Sequence, residues 1–123
     1  TNVLALDALR AIGATESIAP LILVTSRMFE SLHHSRLMDL ARRVSASLGH
    51  AESWLREARE SDRSTLEAGA RRFALTLGRS VELALLIRHA QWSHDHEHDS
   101  RATEAARRFA QSGIDLIFET QDH

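Results

Sequence analysis

The chain is predicted to fold as an all-α, antiparallel bundle of four to five helices, on three observations. Apolar residues recur at spacings of three and four over most of its 123 residues, the signature of one face of a helix. Strand formers and turn residues are scarce: aromatics are 5% of the chain, Pro occurs once and Gly five times, which weighs against a β-sandwich or barrel. The joints between the periodic stretches are short, so neighbouring helices must run antiparallel. With 43% hydrophobic and 26% charged residues the composition is that of an ordinary globular chain. The length admits one domain, residues 1–123.

The elements follow in order. Asn2 can cap a first helix over about residues 3–12, with Ala5, Ala8, Leu9 and Ile12 on its inner face and Gly13 stopping it. A second helix begins near Ser17 and tolerates Pro20 in its first turn. Ile18, Leu21, Ile22, Thr25, Met28, Phe29 and Leu32 form its stripe, and His33-His34-Ser35 is the turn that follows. A third helix covers about residues 36–60. Its stripe is Leu37, Leu40, Ala41, Val44, Leu48, Ala51, Trp54 or Leu55, and Ala58, with Gly49 as a point where it bends or ends.

Ser64-x-x-Glu67 reads as a capping box opening a long helix to about Trp92, with Leu66, Ala70, Phe73, Leu77, Val81 and Leu85 as its stripe. Between residues 81 and 90 the apolar side chains spread almost all round, through Leu83, Ala84, Leu85, Leu86 and Ile87. A helix apolar on all sides is expected to be buried on all sides, so this segment is the central element. Asp99 or Ser100 caps a last helix through Ala102, Ala105, Ala106 and Phe109, and Gly113 ends it. The tail over residues 114–118 is too apolar to stay in water and is expected to dock on this domain or on a neighbour.

The same composition narrows function. There is no cysteine, which removes disulfides, thiolate metal sites and thiol catalysis. No apolar run approaches the ~20 residues of a membrane span and no targeting segment is visible, so the reading is cytoplasmic with no membrane partner. The net charge is −2, and all 15 basic residues are Arg, so no global basic field recruits nucleic acid. HExxH, G-x-S-x-G and P-loop motifs are absent. No carboxylate pair has the spacing of a di-iron bundle.

Four groups of residues remain open. His94-Asp95-His96-Glu97-His98-Asp99 offers six consecutive ligands for Zn, Ni or Cu, or forms a solvated polar connector between two helices. His33-His34 suits a helix C-terminus, and His89 an interface or core. Three Ala-Arg-Arg triplets, ending in Arg42-Arg43, Arg71-Arg72 and Arg107-Arg108, offer guanidinium groups to phosphate or form solvated helix faces paired with acids. Trp54 and Trp92 suit interfaces, where one end of the ring stays wet.

A family resemblance adds to this. Thr1-Asn2-Val3-Leu4-Ala5-Leu6-Asp7-Ala8-Leu9-Arg10 resembles the stretch just after the W/Y-E-G-T/S motif of acyl-CoA dehydrogenases. It is most similar to the AidB-like, adaptive-response branch, where N-V-x-x-L-D-x-L-R follows that motif. Ala70-Arg71-Arg72-Phe73-Ala74, Leu77-Gly78-Arg79 and Ala84-Leu85-Leu86-Ile87-Arg88-His89-Ala90 resemble the long C-terminal helix of that branch. Between Gly13 and Arg63 only the helical rhythm is shared.

The resemblance implies an acyl-CoA dehydrogenase C-terminal-domain-like fold and a chain that is a fragment of a larger flavoprotein. The opening on Thr1 within a helical pattern fits that expectation. In such proteins FAD takes a hydride from the β-carbon of an acyl-CoA thioester while a Glu takes the α-proton. The resemblance puts that Glu upstream of Thr1, so no catalytic residue is expected in this chain. By position, Thr1 and Asn2 would touch the adenosine end of FAD, with Asn2 also free to cap the first helix.

The implied partners are the other domains of the parent, an acyl-CoA substrate of that parent, and further copies in a homodimer or homotetramer. Arg10 aligns with an Arg of a DNA-linked basic surface, although the absent Lys and the negative net charge depart from that pattern. Two alternatives stand beside the dehydrogenase domain. One is a DNA-associated alkylation-response flavoprotein with weak dehydrogenase activity. The other is a self-standing, dimerising helical bundle with metal at His94 to His98.

Overall fold

The computed structural model describes the backbone of residues 17–59 and 63–117 and the side chains of residues 17–58 and 69–117. Four helices fill this span: α1 (Ala19–Phe29), α2 (Ser35–Arg59), α3 (Arg63–Glu97) and α4 (Arg101–Gln111). Among the described residues there is no strand, and the expected all-α architecture is what forms. The expected helix over residues 3–12 and the end of the tail at residue 118 lie outside the described residues.

α2 and α3 pack antiparallel as a long hairpin, the most extensive contact in the chain, with α4 and α1 laid along it. The sequence stripe of α2 is buried as expected: Leu37, Leu40, Ala41, Val44, Leu48, Ala51, Leu55 and Ala58 all face inward. Of the two candidates at its C-terminal end, Leu55 fills the core and Trp54 is half-buried, stacked on Phe73 with ring centroids 4.9 Å apart. Gly49 does not end α2. It is exposed, and the helix runs through it.

α1 opens with Pro20 in its first turn, where a missing N–H costs nothing. Its N-terminus is held from across the bundle. The Ile18 N–H donates to Glu52 Oε2 at 2.8 Å and the Ser17 hydroxyl to Glu52 Oε1 at 3.1 Å. A carboxylate at that end also suits the helix dipole. Ile18 and Thr25 are buried, and Leu21, Ile22, Met28, Phe29 and Leu32 pack partly against the core.

α3 departs from the expected pattern in three ways. It begins at Arg63, so Ser64 lies inside its first turn, and the side chains of the proposed capping box lie outside those described. It also runs past Trp92 to Glu97, so His94 to Glu97 are helix and not a connector. The helix stops at His98, which adopts φ 53°, the left-handed conformation that ends many helices.

Its buried face, finally, is not the expected stripe. Phe73 and Leu77 are inside, but Val81 is half-buried and Leu85 is 46% exposed. Steps of four overshoot the 3.6-residue turn by about 40° each, so a row of fourth residues winds out of the core. Thr76, Ser80, Leu83, Ala84 and Ile87 take the inner face instead. The apolar residues between 81 and 90 are therefore not buried on all sides within this chain.

α4 starts after Asp99, whose Oδ1 accepts the Arg101 N–H at 2.9 Å, while Ser100 makes no side-chain cap bond. Thr103, Ala106 and Ala110 form its inner face. Gly113 at φ 90° turns the chain back, a conformation that favours glycine. Two arginines from the hairpin hold that turn. Arg43 Nη2 donates to the Ala110 carbonyl at 3.0 Å, and Arg79 donates to the Gly113 carbonyl while its guanidinium lies 4.6 Å from the centre of the Phe109 ring. The tail then docks on this domain: Ile114 and Ile117 are buried, and the Leu116 N–H donates to Thr76 Oγ1 at 3.1 Å.

A glycine comparison tests the hairpin. A Cβ on Gly69 would sit 2.5 Å from the Trp54 ring, whereas one on Gly49 would meet nothing within 4 Å. Gly69→Ala is expected to destabilise the chain by about 1–3 kcal/mol through overpacking. Gly49→Ala is expected to stabilise it by about 0.5–1 kcal/mol through helix propensity. Thermal unfolding followed by circular dichroism separates the two signs.

Candidate functional site

The densest group of titratable side chains forms where the α1–α2 loop meets the C-terminal third of α3. α3 carries Gln91, His94 and Asp95 to this end of the hairpin because it continues past Trp92, and the loop supplies His33 and His34. Gln91 is buried and works as a two-sided clamp. Its Oε1 accepts the backbone N–H groups of His33 and His34, both at 3.1 Å. Its amide nitrogen donates to Asp95 Oδ1 at 3.0 Å and lies 3.0 Å from His33 Nε2. His33 closes the ring, its Nε2 lying 3.0 Å from the Asp95 carboxylate.

His34 sits edge-on to His94 with centroids 4.6 Å apart, and its Nδ1 is buried without a hydrogen-bond partner among the described residues. Desolvation, and then the positive neighbours His94, Arg36 and His33, hold its pKa below the ordinary imidazole value of 6.5. At Asp95 desolvation pushes the other way, but the hydrogen bond and charge of His33, together with Gln91, hold the carboxyl below its usual value of 3.8.

This geometry is a structural lock. Among the described residues no group of three His, Cys, Asp or Glu side chains is placed to hold a metal ion. The six-residue ligand run is split by the helix that forms over it. Ser93 donates to Glu97 at 2.7 Å, His96 Nδ1 donates to the Trp92 carbonyl at 2.9 Å on the outer face, and His98 lies beyond the helix end. Sequence reasoning missed Gln91, because a lone Gln in a polar stretch carries no periodic or motif signal.

The other sequence-derived candidates separate. Thr1, Asn2 and Arg10 lie outside the described residues. Of the paired arginines, Arg42 meets Asp39, Arg43 holds the α4 end, and Arg107 meets Glu104 at 2.9 Å. Arg71, Arg72 and Arg108 are exposed. His89, Trp92 and His96 form an exposed stack on α3, with centroid spacings of 6.0 and 5.0 Å. A groove of about 330 Å³ between the end of α1 and the start of α2 is lined by Phe29, Leu32, Met38, Ala41, Arg42 and Ser45.

A protein-family model described as Acyl-CoA dehydrogenase 11 C-terminal domain-like matches residues 23–123, well over half of the chain. No curated protein and no solved structure gives a significant match.

Two measurements test the lock. Gln91→Leu leaves two loop N–H groups without an acceptor and is expected to cost about 1–3 kcal/mol in denaturant unfolding. The pH dependence follows from His34. Its folded pKa lies below the unfolded 6.5, so the folded state binds fewer protons. The stability tied to neutral His34 is complete above about pH 6.5 and is lost as pH falls below it. The wild-type chain is expected to lose more stability than His34→Gln between pH 7.5 and pH 5.5, read from melting temperatures at the two values.

Proposed function

Because the chain belongs to the acyl-CoA dehydrogenase 11 C-terminal domain-like family, we propose that it is the C-terminal helical domain of an FAD-dependent acyl-CoA dehydrogenase-like flavoprotein. The parent would remove hydrogen from the α and β carbons of an acyl-CoA thioester. The family match over residues 23–123 carries this reading, and the opening stretch from Thr1 to Arg10 supports it independently, since it lies outside the matched span. The N-V-x-x-L-D-x-L-R pattern from Asn2 to Arg10 favours the AidB-like, adaptive-response branch within that class.

FAD supplies a hydride acceptor in such chemistry, and the α-proton falls to a Glu upstream of Thr1. This domain's own part is at the edge of that site. Thr1 and Asn2 bring a hydroxyl and an amide, donor and acceptor groups suited to a ribose and an adenine edge. The domain's larger part is to form the surface on which other domains and further copies assemble into a homodimer or homotetramer. Leu23, Val24, Leu75, Leu85 and Trp92 are exposed large apolar side chains available for that role. Among the described residues no helix is long and apolar enough to cross a membrane, and the reading is a cytoplasmic protein.

An anaerobic absorbance titration of the flavin-loaded parent with a panel of acyl-CoAs tests the proposal. Yellow flavin bands that bleach with one chain length are the expected result. A parent that binds no flavin overturns it. Flavin that stays oxidised with every acyl-CoA moves the reading to the DNA-associated, weakly catalytic alternative, in which Arg10 and the exposed Arg71 and Arg72 become the residues to replace.

A further inference from the structure

The groove between the end of α1 and the start of α2 has mostly apolar walls. Met38 is 39% exposed there, and Phe29 and Leu32 are only partly covered. The one charge among its lining residues, Arg42, is paired with Asp39. An occupant therefore needs an apolar face and no counter-charge. The side of α2 that forms one wall continues past Ser45 to Gly49, which is exposed and where a Cβ would meet nothing within 4 Å. Less than a turn further on, Glu52 binds the chain at Ser17 and Ile18. The groove thus opens along α2 toward the point where the chain arrives from residues 1–16.

We propose that the chain's own opening segment, residues 3–12, fills this groove as a helix lying beside α1 and α2. Its face, its direction and its reach all fit. Ala5, Ala8, Leu9 and Ile12 share one side of such a helix, and the charged Asp7 and Arg10 fall on the opposite side. α1 runs antiparallel to α2, with Ser17 and Ile18 at Glu52 and Phe29 and Leu32 near Met38. A helix joined to α1 by the short stretch 13–16 runs back along α1, and so parallel to α2.

Ser45 lies about 10 Å along α2 from Glu52, and the stretch from Ile12 to Ser17 reaches about 17 Å when extended. Ile12 then settles beside Ser45, Leu9 enters between Ala41 and Phe29, and Ala5 lies at Met38. The helix is about 15 Å long, enough to cover the roughly 10 Å from Ser45 to Met38. Tethering favours this occupant over a second copy or another domain. A short linker holds the segment at an effective concentration in the millimolar range, so even weak docking is satisfied from within the chain. A helix this short is also marginal in water and gains its order from such a surface. The inference goes beyond the dehydrogenase reading and holds whether or not the parent binds flavin.

The absence of cysteine from the chain makes the test clean. Under mild oxidation Ile12→Cys/Ser45→Cys is expected to close a disulfide within one chain at least tenfold faster than Ile12→Cys/Arg88→Cys. Arg88 is exposed on α3 at the height of the groove, as the Trp54–Phe73 and Ser47–Ser80 contacts set the two helices against each other. Hydrogen exchange of the unaltered chain gives a second readout. Amides of residues 3–12 are expected to exchange at least tenfold more slowly than in an unstructured peptide. Leu9→Asp is expected to return them to the peptide rate, with α2 and α3 unchanged. Equal rates for the two cysteine pairs overturn the proposal. So do residues 3–12 that exchange at the peptide rate in the unaltered chain, a result that hands their apolar face to another domain. A disulfide that links two chains overturns it as well and puts a second copy in the groove.

Discussion

The register between α2 and α3 is the constraint on which the rest of the chain depends. Three contacts along the hairpin fix it. Trp54 stacks on Phe73 and covers Gly69 near the α2–α3 connection. At the middle, the buried hydroxyls of Ser47 and Ser80 meet at 2.6 Å. At the far end, His34 lies against His94 while Gln91 ties the preceding loop. From Trp54 to Ser47 a step of seven down α2 is answered by a step of seven from Phe73 to Ser80 along α3, so the two helices stay in phase between these contacts. The Ser pair sets the closeness of the approach, because only small side chains fit between backbones there. It also satisfies itself, since Ser80 donates to Ser47, whose own proton goes to the Val44 carbonyl.

The other elements attach to points that this register creates. Glu52 of α2 receives the start of α1, and Gln91 of α3 receives its end. Arg43 and Arg79, one from each arm of the hairpin, converge on the last turn of α4. Thr76 then binds the backbone of the docked tail. The polar side chains that look decorative in the sequence are thus the fasteners, and the apolar stripes are the filling. α1 and α4 are each 11 residues long, too short to be stable helices alone, so their order is borrowed from the hairpin.

Much of this was legible in the sequence, and the illegible part has a physical pattern. The stripe of α2 reads correctly because Leu37 to Ala58 meet one partner in one phase. The expected stripe of α3 fails beyond Leu77 because that helix meets α2 on one side and α4 on another. Its inner face is therefore broader than a single row, and it includes Thr76, Ser80 and Gln91. Leu85 and Trp92 are apolar without being core, which a rule tied only to this chain's interior cannot anticipate. Helix over His94 to Glu97 was hidden by a polar run that reads equally well as a connector, and there Gln91 and the loop settle the matter. Little of the candidate site was legible. His33-His34 and the run from His94 stood out by composition, but their separation into a lock and an outer stack depends on where α3 stops.

Function follows from the same division of surfaces. The inward faces make the bundle of a chain that belongs to the acyl-CoA dehydrogenase 11 C-terminal domain-like family. The outward face of α3 carries the apolar surplus. Native-state hydrogen exchange tests the scaffold directly, because it resolves which amides open only with global unfolding. The slowest amides should lie in α2 and α3 around the Ser47–Ser80 contact, with α1 and α4 exchanging through smaller openings that leave the hairpin intact. Amides of α1 or α4 protected as strongly as those of the hairpin, or a hairpin that opens while α4 stays closed, would contradict the account.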